Sequence, residues 1–282
     1  MKHILITGAN GQLGKELSDR GKEKFKVTSL GKAELDITNL YLVQQTVEHY
    51  QPDFIIHTAA FTNVDHCEVE KTKAFDINSV GASHIAMGAN MIDSKMIYIS
   101  SDYIFDGRNN RPYGIEDTPN PLNTYGKSKW LGERLVEWNT ENCSVIRTSW
   151  LYGHARNNFV KTMLNLVKKG QPIAVVADEV GSPTYVRDLA NYILLLLDKP
   201  EGTYHCSNSG SCSWYEFARK IVEKAGYDPG LIQPTTSKKY GSVAKRPAYS
   251  VLSHEQLNNV DLKTPRHWEE ALDEFLMKEL KL

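Results

Sequence analysis

Tyr125 and Lys129 stand four residues apart in the stretch Pro121-Leu122-Asn123-Thr124-Tyr125-Gly126-Lys127-Ser128-Lys129. If the segment is helical from about Asn123, the phenol and the ammonium lie one turn apart on one face and can act on one ligand. A free phenol has a pKa of about 10 and a nearby positive charge lowers it, so the pair is suited to exchanging a proton near neutral pH. The same spacing is common on solvated helices, and the pair gains a role only from what surrounds it. Lys127, off that face, reads as solvated charge.

The surroundings begin at the amino terminus. His3 to Thr7 is a short apolar run, and Leu13 and Leu17 fall at helical spacing between Gly11 and Arg20, which reads as strand, tight loop, helix. The loop is Gly8-Ala9-Asn10-Gly11-Gln12-Leu13-Gly14. Glycines at these places let the chain turn sharply, let a pyrophosphate approach the helix N-terminus, and let the helix pack closely on the strand. Phe25 to Leu30 is a second strand whose end meets the adenosine ribose of a dinucleotide. An acidic residue there would bind the ribose hydroxyls of NAD, whereas this chain has Ser29-Leu30-Gly31-Lys32. Lys32 either meets the 2′-phosphate of NADP(H) or is a solvated loop lysine. Asp36 and Ile37 fall beside the adenine, with a helix cap as the other role for Asp36.

Further strands deliver residues to the same sheet edge. Leu40 to His49 is a helix and Asp53 to His57 a third strand, which ends in the small residues of Thr58-Ala59-Ala60-Phe61-Thr62 and so leaves room for a cofactor. Val69 to Met91 reads as a long helical stretch interrupted by Gly81 and Gly88, with Asn78 inside it as a packing or solvent-facing residue, or as a holder of a water or a backbone group near a site. Met96 to Ser100 is a fourth strand that presents Ser101-Asp102-Tyr103, where a hydroxyl can hydrogen-bond a substrate carbonyl. Arg108 to Pro121 is a loop long enough to cover a site. A fifth strand runs from Val145 to Trp150. Beyond it the alternation weakens: helices at Asn158–Lys168, Tyr185–Leu197, Trp214–Ala225 and Thr264–Leu280, strands at Pro172–Ala177 and Gly202–Ser207. The fold class is α/β, a Rossmann-type doubly wound parallel sheet with a smaller carboxyl-terminal α/β substrate domain. Residues 1–150 form the dinucleotide-binding domain, segments near 173–200 return to it, and 151–282 belong mainly to the substrate domain.

Composition excludes other classes. A hydrophobic fraction of 41% supports a packed core, and 33 Lys plus Arg against 34 Asp plus Glu give no nucleic-acid footprint and no polybasic membrane surface. Cys67, Cys143, Cys206 and Cys212 lack metal or disulfide spacing and read as reduced thiols. The longest apolar run, Tyr192 to Leu197, is far shorter than a membrane span, and no signal peptide is evident, so a cytoplasmic location is expected.

Taken in order, Gly8-x-x-Gly11-x-x-Gly14, Ala59-Ala60, Ser100-Ser101-Asp102-Tyr103-Ile104-Phe105-Asp106-Gly107, Tyr125-x-x-x-Lys129 and Arg147-Thr148-Ser149-Trp150-Leu151-Tyr152-Gly153 resemble the extended short-chain dehydrogenase/reductase family. Asn157 to Leu164, Gly181-Ser182-Pro183-Thr184 and Arg246 to Ser250 resemble its branch acting on the 4-keto group of dTDP-4-dehydro-L-rhamnose. The resemblance implies reduction of that group to give dTDP-L-rhamnose, with NADPH as cofactor and NADH as the alternative. It implies that Tyr125 is the proton donor, that Lys129 binds the nicotinamide ribose and supports Tyr125, and that Ser101 orients the carbonyl oxygen. Gly11, Gln12, Leu13, Asp36, Ile37, Ala60, Phe61 and Thr62 match cofactor-lining positions; Asp102, Tyr103 and Trp150 match positions facing the nucleotide-sugar. Without the resemblance Trp150 reads as a core aromatic. No protein metal is needed for the hydride step. Some relatives place an acid for a magnesium-linked dimer where this chain has Arg187, so that dimer is not expected, and a monomer or weak homodimer is. Two other readings keep the same residues: a non-catalytic NADP-binding regulatory subunit, and a reductase or epimerase of another nucleotide-sugar.

Overall fold

The computed structural model describes residues 1–280. Its first part alternates strands and helices: β1 (His3–Thr7), α1 (Gln12–Gly21), β2 (Lys26–Leu30), α2 (Leu40–Tyr50), β3 (Phe54–His57), α3 (Val64–Val69), α4 (Lys71–Phe75), a π-helical turn (Asp76–Val80), α5 (Gly81–Met91), β4 (Lys95–Ser101), α6 (Thr124–Asn139) and β5 (Cys143–Thr148). Shorter elements follow: β6 (Leu151–Tyr152), α7 (Phe159–Val167), β7 (Ile173–Val176), β8 (Val180–Gly181), β9 (Thr184–Tyr185), α8 (Val186–Leu196), β10 (Gly202–His205), β11 (Cys212–Ser213), α9 (Trp214–Lys224), β12 (Ile232–Thr235), α10 (Ser237–Tyr240), α11 (Glu255–Asn258) and α12 (Trp268–Leu280).

Six strands form one parallel sheet in the order β2-β1-β3-β4-β5-β10. Successive strand residues go to opposite faces, and both faces are covered. Ile4, Ile6, Phe54, Ile56, Ile97 and Ile99 pack with Leu13 and Leu17 of α1 and Leu189 and Ile193 of α8. Leu5, Ile55, Met96, Tyr98 and Val145 pack on the other side with Val43, Val47, Ile85, Ala86 and Val136 from α2, α5 and α6. Each fully buried Ile of this kind contributes about 2 kcal/mol, so a doubly covered parallel sheet is the arrangement these apolar runs favour. The order in which strands are added to the sheet reverses between β1 and β3, and in such sheets a ligand crevice opens at the carboxyl ends of the strands beside that point.

Beyond β5 the chain divides its packing. The helix α8 and the strand β10 return to the sheet, but β7 does not: it pairs with β12, outside the six-stranded sheet. The return therefore starts later and runs further than the 173–200 expected. A second core gathers Tyr152, Val160, Leu164, Phe217, Ile221, Trp268, Leu272 and Phe275.

The helical stretch expected over Val69–Met91 is continuous from Lys71 to Met91, but its interruption lies in a π turn just before Gly81 rather than at Gly81 and Gly88. A π-helical turn at Asp76–Val80 brings Asn78 inward, fully buried. Its Oδ1 accepts from the Phe61 amide at 2.7 Å, and its Nδ2 donates to Phe61 O at 3.1 Å and to Ser128 Oγ at 3.0 Å. One carboxamide thus ties the end of β3 to the middle of α6.

Candidate active site

The glycine loop is shaped by what a side chain would hit. Gly8 has φ +68°, and a Cβ there would lie 2.5 Å from the Ala59 nitrogen; one on Gly14 would collide with the Gly8 carbonyl oxygen. The first turn of α1 has Gly11 as N-cap and no side-chain cap, so its amides stay available to an anion. Gly8, Asn10, Gly11, Gln12, Leu13 and Gly14 line a cavity of about 1100 Å³. A cavity of this size with an uncapped helix start and a glycine-rich loop fits a dinucleotide.

Beyond the end of β2, Lys32 is exposed and lines the cavity together with Asp36 and Ile37. Thr38 donates to Asp36 Oδ1 from its amide (3.0 Å) and its hydroxyl (2.7 Å), which with nearby Lys32 holds the Asp36 carboxyl below the usual range. Asp36 does not cap α2. Asn39 does, accepting from the Leu42 amide at 3.2 Å. An acid does stand near the end of β2: Glu34 accepts from the Gly31 amide at 2.8 Å, but it is outside the cavity lining.

Ala59, Ala60 and Thr62 line the cavity as expected, whereas Phe61 does not. Asn78 pins its backbone, and its ring lies under the Lys73 ammonium, 4.9 Å from the centroid.

Tyr125 and Lys129 sit on α6, whose N-cap Asn123 accepts from the Gly126 amide at 2.8 Å and donates to Lys245 O at 2.8 Å. Two glycines set how closely this helix approaches the sheet. A Cβ on Gly126 would collide with the Tyr103 carbonyl oxygen, and one on Gly132 with the Tyr98 hydroxyl and the Asn78 carbonyl oxygen. That close approach brings Tyr125 to the same cavity as Ser101, at the end of β4. The Tyr103 ring meets Tyr125 edge-on, with centroids 5.9 Å apart. Ser101 Oγ donates to Asp102 Oδ1 at 3.0 Å and accepts from the Tyr103 amide at 3.1 Å; Ser250 Oγ donates to Asp102 Oδ2 at 2.6 Å. Burial lifts the Asp102 carboxyl to about 7 against these hydrogen bonds.

The expected lowering of the Tyr125 pKa is not found. Burial pushes the phenol up, opposed by the Ser101 hydrogen bond, and Lys129 has no direct part in the shift. The Lys129 ammonium lies over the Tyr98 ring, 4.0 Å from its centroid, and burial brings its pKa down to about 7, with Glu133 acting in the opposite direction. Glu133 is itself held by Arg147, with Nε–Oε1 3.1 Å and Nη2–Oε2 2.8 Å, and by the Ser100 hydroxyl. Proximity in sequence foretold the charge of Lys129 but not the desolvation of either group.

Another part of the cavity wall is aromatic. Trp150, at φ +47°, stacks on Trp214 with centroids 3.5 Å and planes 7° apart. Both rings line the cavity, and a Cβ on Gly181 would strike Trp150. Trp150 also packs against the second core, so the core reading and the site reading both describe it. Trp214, Arg156, Asn157, Thr148 and Ser149 are lining residues that spacing did not reveal. The nearest sequence signal is the capping box Ser213–Glu216, which fixes the start of α9 and hence the place of Trp214. Among the described residues no group of three or more His, Cys, Asp or Glu side chains could hold a metal ion. Arg187 ion-pairs with Glu274 at 3.4 Å.

A doubly wound parallel sheet, a glycine loop at its switch point, and a Ser-Tyr-Lys cluster at the end of β4 define a short-chain dehydrogenase/reductase. The chain belongs to the family described as RmlD substrate binding domain, whose model matches residues 1–281. It is 46% identical over 279 residues to the spore coat polysaccharide biosynthesis protein SpsK of Bacillus subtilis, covering 99% of this chain and 98% of that one. It is 37% identical to the dTDP-4-dehydrorhamnose reductase of Aggregatibacter actinomycetemcomitans, covering 96% of this chain and 97% of that one. Among solved structures, the dTDP-4-dehydrorhamnose reductase of Bacillus anthracis in complex with NADP superposes with a TM-score of 0.95 at 43% identity, covering 99% of this chain and 100% of that one.

Proposed function

We propose that this chain reduces the 4-keto group of dTDP-4-dehydro-L-rhamnose to give dTDP-L-rhamnose, a step in making cell-surface polysaccharide, with NADPH as cofactor. The observation that carries the reading is one cavity whose lining runs from the glycine loop to Ser101, Tyr125 and Lys129. Full-length relatives named as dTDP-4-dehydrorhamnose reductases support it, as does the relative with NADP bound. When bound, NADPH supplies the hydride.

The chain supplies position and protons. Gly8 to Gly14 and the start of α1 hold the pyrophosphate, and Lys32 meets the 2′-phosphate. Asp36 and Ile37 flank the adenine, and Ala59, Ala60 and Thr62 leave room for the cofactor. Lys129 hydrogen-bonds the nicotinamide ribose. Ser101 Oγ orients the substrate carbonyl oxygen, and Tyr125 Oη gives its proton to the oxygen that becomes the hydroxyl. The raised pKa of Tyr125 keeps the phenol protonated at neutral pH, which is the state a donor needs. Asp102, Tyr103 and Trp150 face the nucleotide-sugar, with Trp214 backing Trp150. The enzyme works in the cytoplasm, a reading supported by four free, buried cysteines, and as a monomer or weak homodimer, since Arg187 is engaged by Glu274. No described helix is long and apolar enough to cross a membrane.

Purified protein given NADPH and dTDP-4-dehydro-L-rhamnose generated in situ is expected to oxidise the cofactor. Intact protein that binds NADPH yet gives no turnover would overturn the reading.

A further inference from the structure

We infer that Arg156, carried by the segment between β6 and α7, is a second cation at the adenosine 2′-phosphate and a determinant of NADPH over NADH. The inference rests on the reading of the chain as an NADPH-dependent enzyme and assigns part of that specificity to a residue far from the glycine loop in sequence.

Lys32 alone does not make the adenosine corner positive. Its charge is already felt by Asp36, and Glu34 lies close by on the Gly31 amide. Both carboxylates are engaged by the chain itself, Asp36 by Thr38 and Glu34 by Gly31. A phosphate dianion brought beside two acids needs more than one exposed ammonium to hold it.

Arg156 is placed to supply the rest. Its Nε donates to the Asn10 carbonyl oxygen at 2.5 Å. The Asn10 carboxamide in turn packs against Gly31, so closely that a Cβ on Gly31 would collide with it. Gly31, Asn10 and Arg156 therefore form a continuous rim from the end of β2, where the ribose is read, across to the carboxyl-terminal part of the chain. Arg156 lines the same cavity as Lys32, and among the described residues no acceptor meets its Nη1 or Nη2. Those two donors, on a guanidinium already anchored through Nε, suit the oxygens of a phosphate. The backbone is held in an unfavourable conformation to achieve this: Arg156 has φ +58°, in the left-handed region a non-glycine residue rarely adopts. A neighbouring bond, Asn158 Nδ2 to Gln12 Oε1 at 3.0 Å, ties the same segment to the glycine loop and keeps the arginine in place.

The test is cofactor binding, read by fluorescence of the reduced nicotinamide and by calorimetry, without any sugar substrate. Arg156→Gln is expected to weaken NADPH by about tenfold or more while NADH stays within about twofold, because only NADPH carries the 2′-phosphate. Arg156→Lys should restore part of the loss. Adenosine 2′,5′-bisphosphate should lose affinity in parallel with NADPH, and ADP should not. Equal weakening of NADPH and NADH would place Arg156 on the pyrophosphate and overturn the inference, as would no weakening of either. Wild-type protein that binds NADH but not NADPH would overturn the cofactor reading, and this inference with it. Arg156 is exposed, so unchanged thermal unfolding of the variants is expected and confirms that binding is what has changed.

Discussion

One wall of the cavity comes from a single stretch, Gly8 to Gly14, while another is made where Trp150 and Trp214 stack, with centroids 3.5 Å apart, from segments far apart in the chain. The first is a backbone device. It works because side chains are missing, since Gly8 and Gly14 have no room for a Cβ. The second is a side-chain device, held by the packing of the second core and by the close approach of Gly181. Tyr125, Lys129 and Ser101 line the same cavity, so damage to either wall should change binding of one ligand, and damage at these three should change the chemistry.

That separation can be broken at several points. The largest effect is expected at the Ser-Tyr-Lys cluster: Tyr125→Phe should lower kcat by about a hundredfold to ten-thousandfold while NADPH affinity is kept, as titration beside steady-state assay will show. A large loss of cofactor affinity would mean that Tyr125 has been given the wrong role. Next, Gly8→Ala should cost about 3 kcal/mol of stability in urea unfolding and weaken NADPH, because the residue is forced into φ +68° against Ala59. Binding of dTDP to the folded fraction should be unchanged. Trp214→Ala should do the reverse, weakening dTDP by about tenfold in calorimetry with NADPH untouched. Lys32→Gln should weaken NADPH a few-fold more than NADH.

The smallest effect concerns pH. The Asp102 carboxyl is lifted by burial to about 7, so the folded state holds this proton more tightly than the unfolded chain does. Its contribution to stability is fully present below the unfolded value of about 3.9 and is lost as pH rises through about 7. Compared with Asp102→Asn, wild-type protein should therefore lose ground in urea midpoint between about pH 4 and pH 8. A constant difference would show that the carboxyl titrates as in the unfolded chain.

The same contrast explains what the sequence disclosed. The strand His3–Thr7, the glycine loop, and the strand ends at Ala59 and Ser101 were legible because apolar period and glycine placement are local properties. The π-helical turn was not, because it exists to bring Asn78 onto Phe61 and Ser128, and those partners are distant in sequence. The orientation of Phe61 is not legible for a related reason: its backbone is held by that same carboxamide. Trp214 and Arg156 carry no motif of their own, and only the tertiary fold brings them to the cavity. With Tyr125 and Lys129 the spacing was right and the electrostatics were wrong, since adjacent charge can be read from a sequence and burial cannot.

The central claim is that Tyr125, Lys129 and Ser101 stand where a bound NADPH and a sugar C4 carbonyl meet. The most direct test gives wild-type protein NADPH carrying deuterium at the transferable C4 position, together with dTDP-4-dehydro-L-rhamnose formed in situ, and follows the product by NMR. The account predicts oxidation of the cofactor in step with dTDP-L-rhamnose bearing deuterium at C4. Deuterium at another sugar carbon, or bound cofactor that is never oxidised, would contradict it.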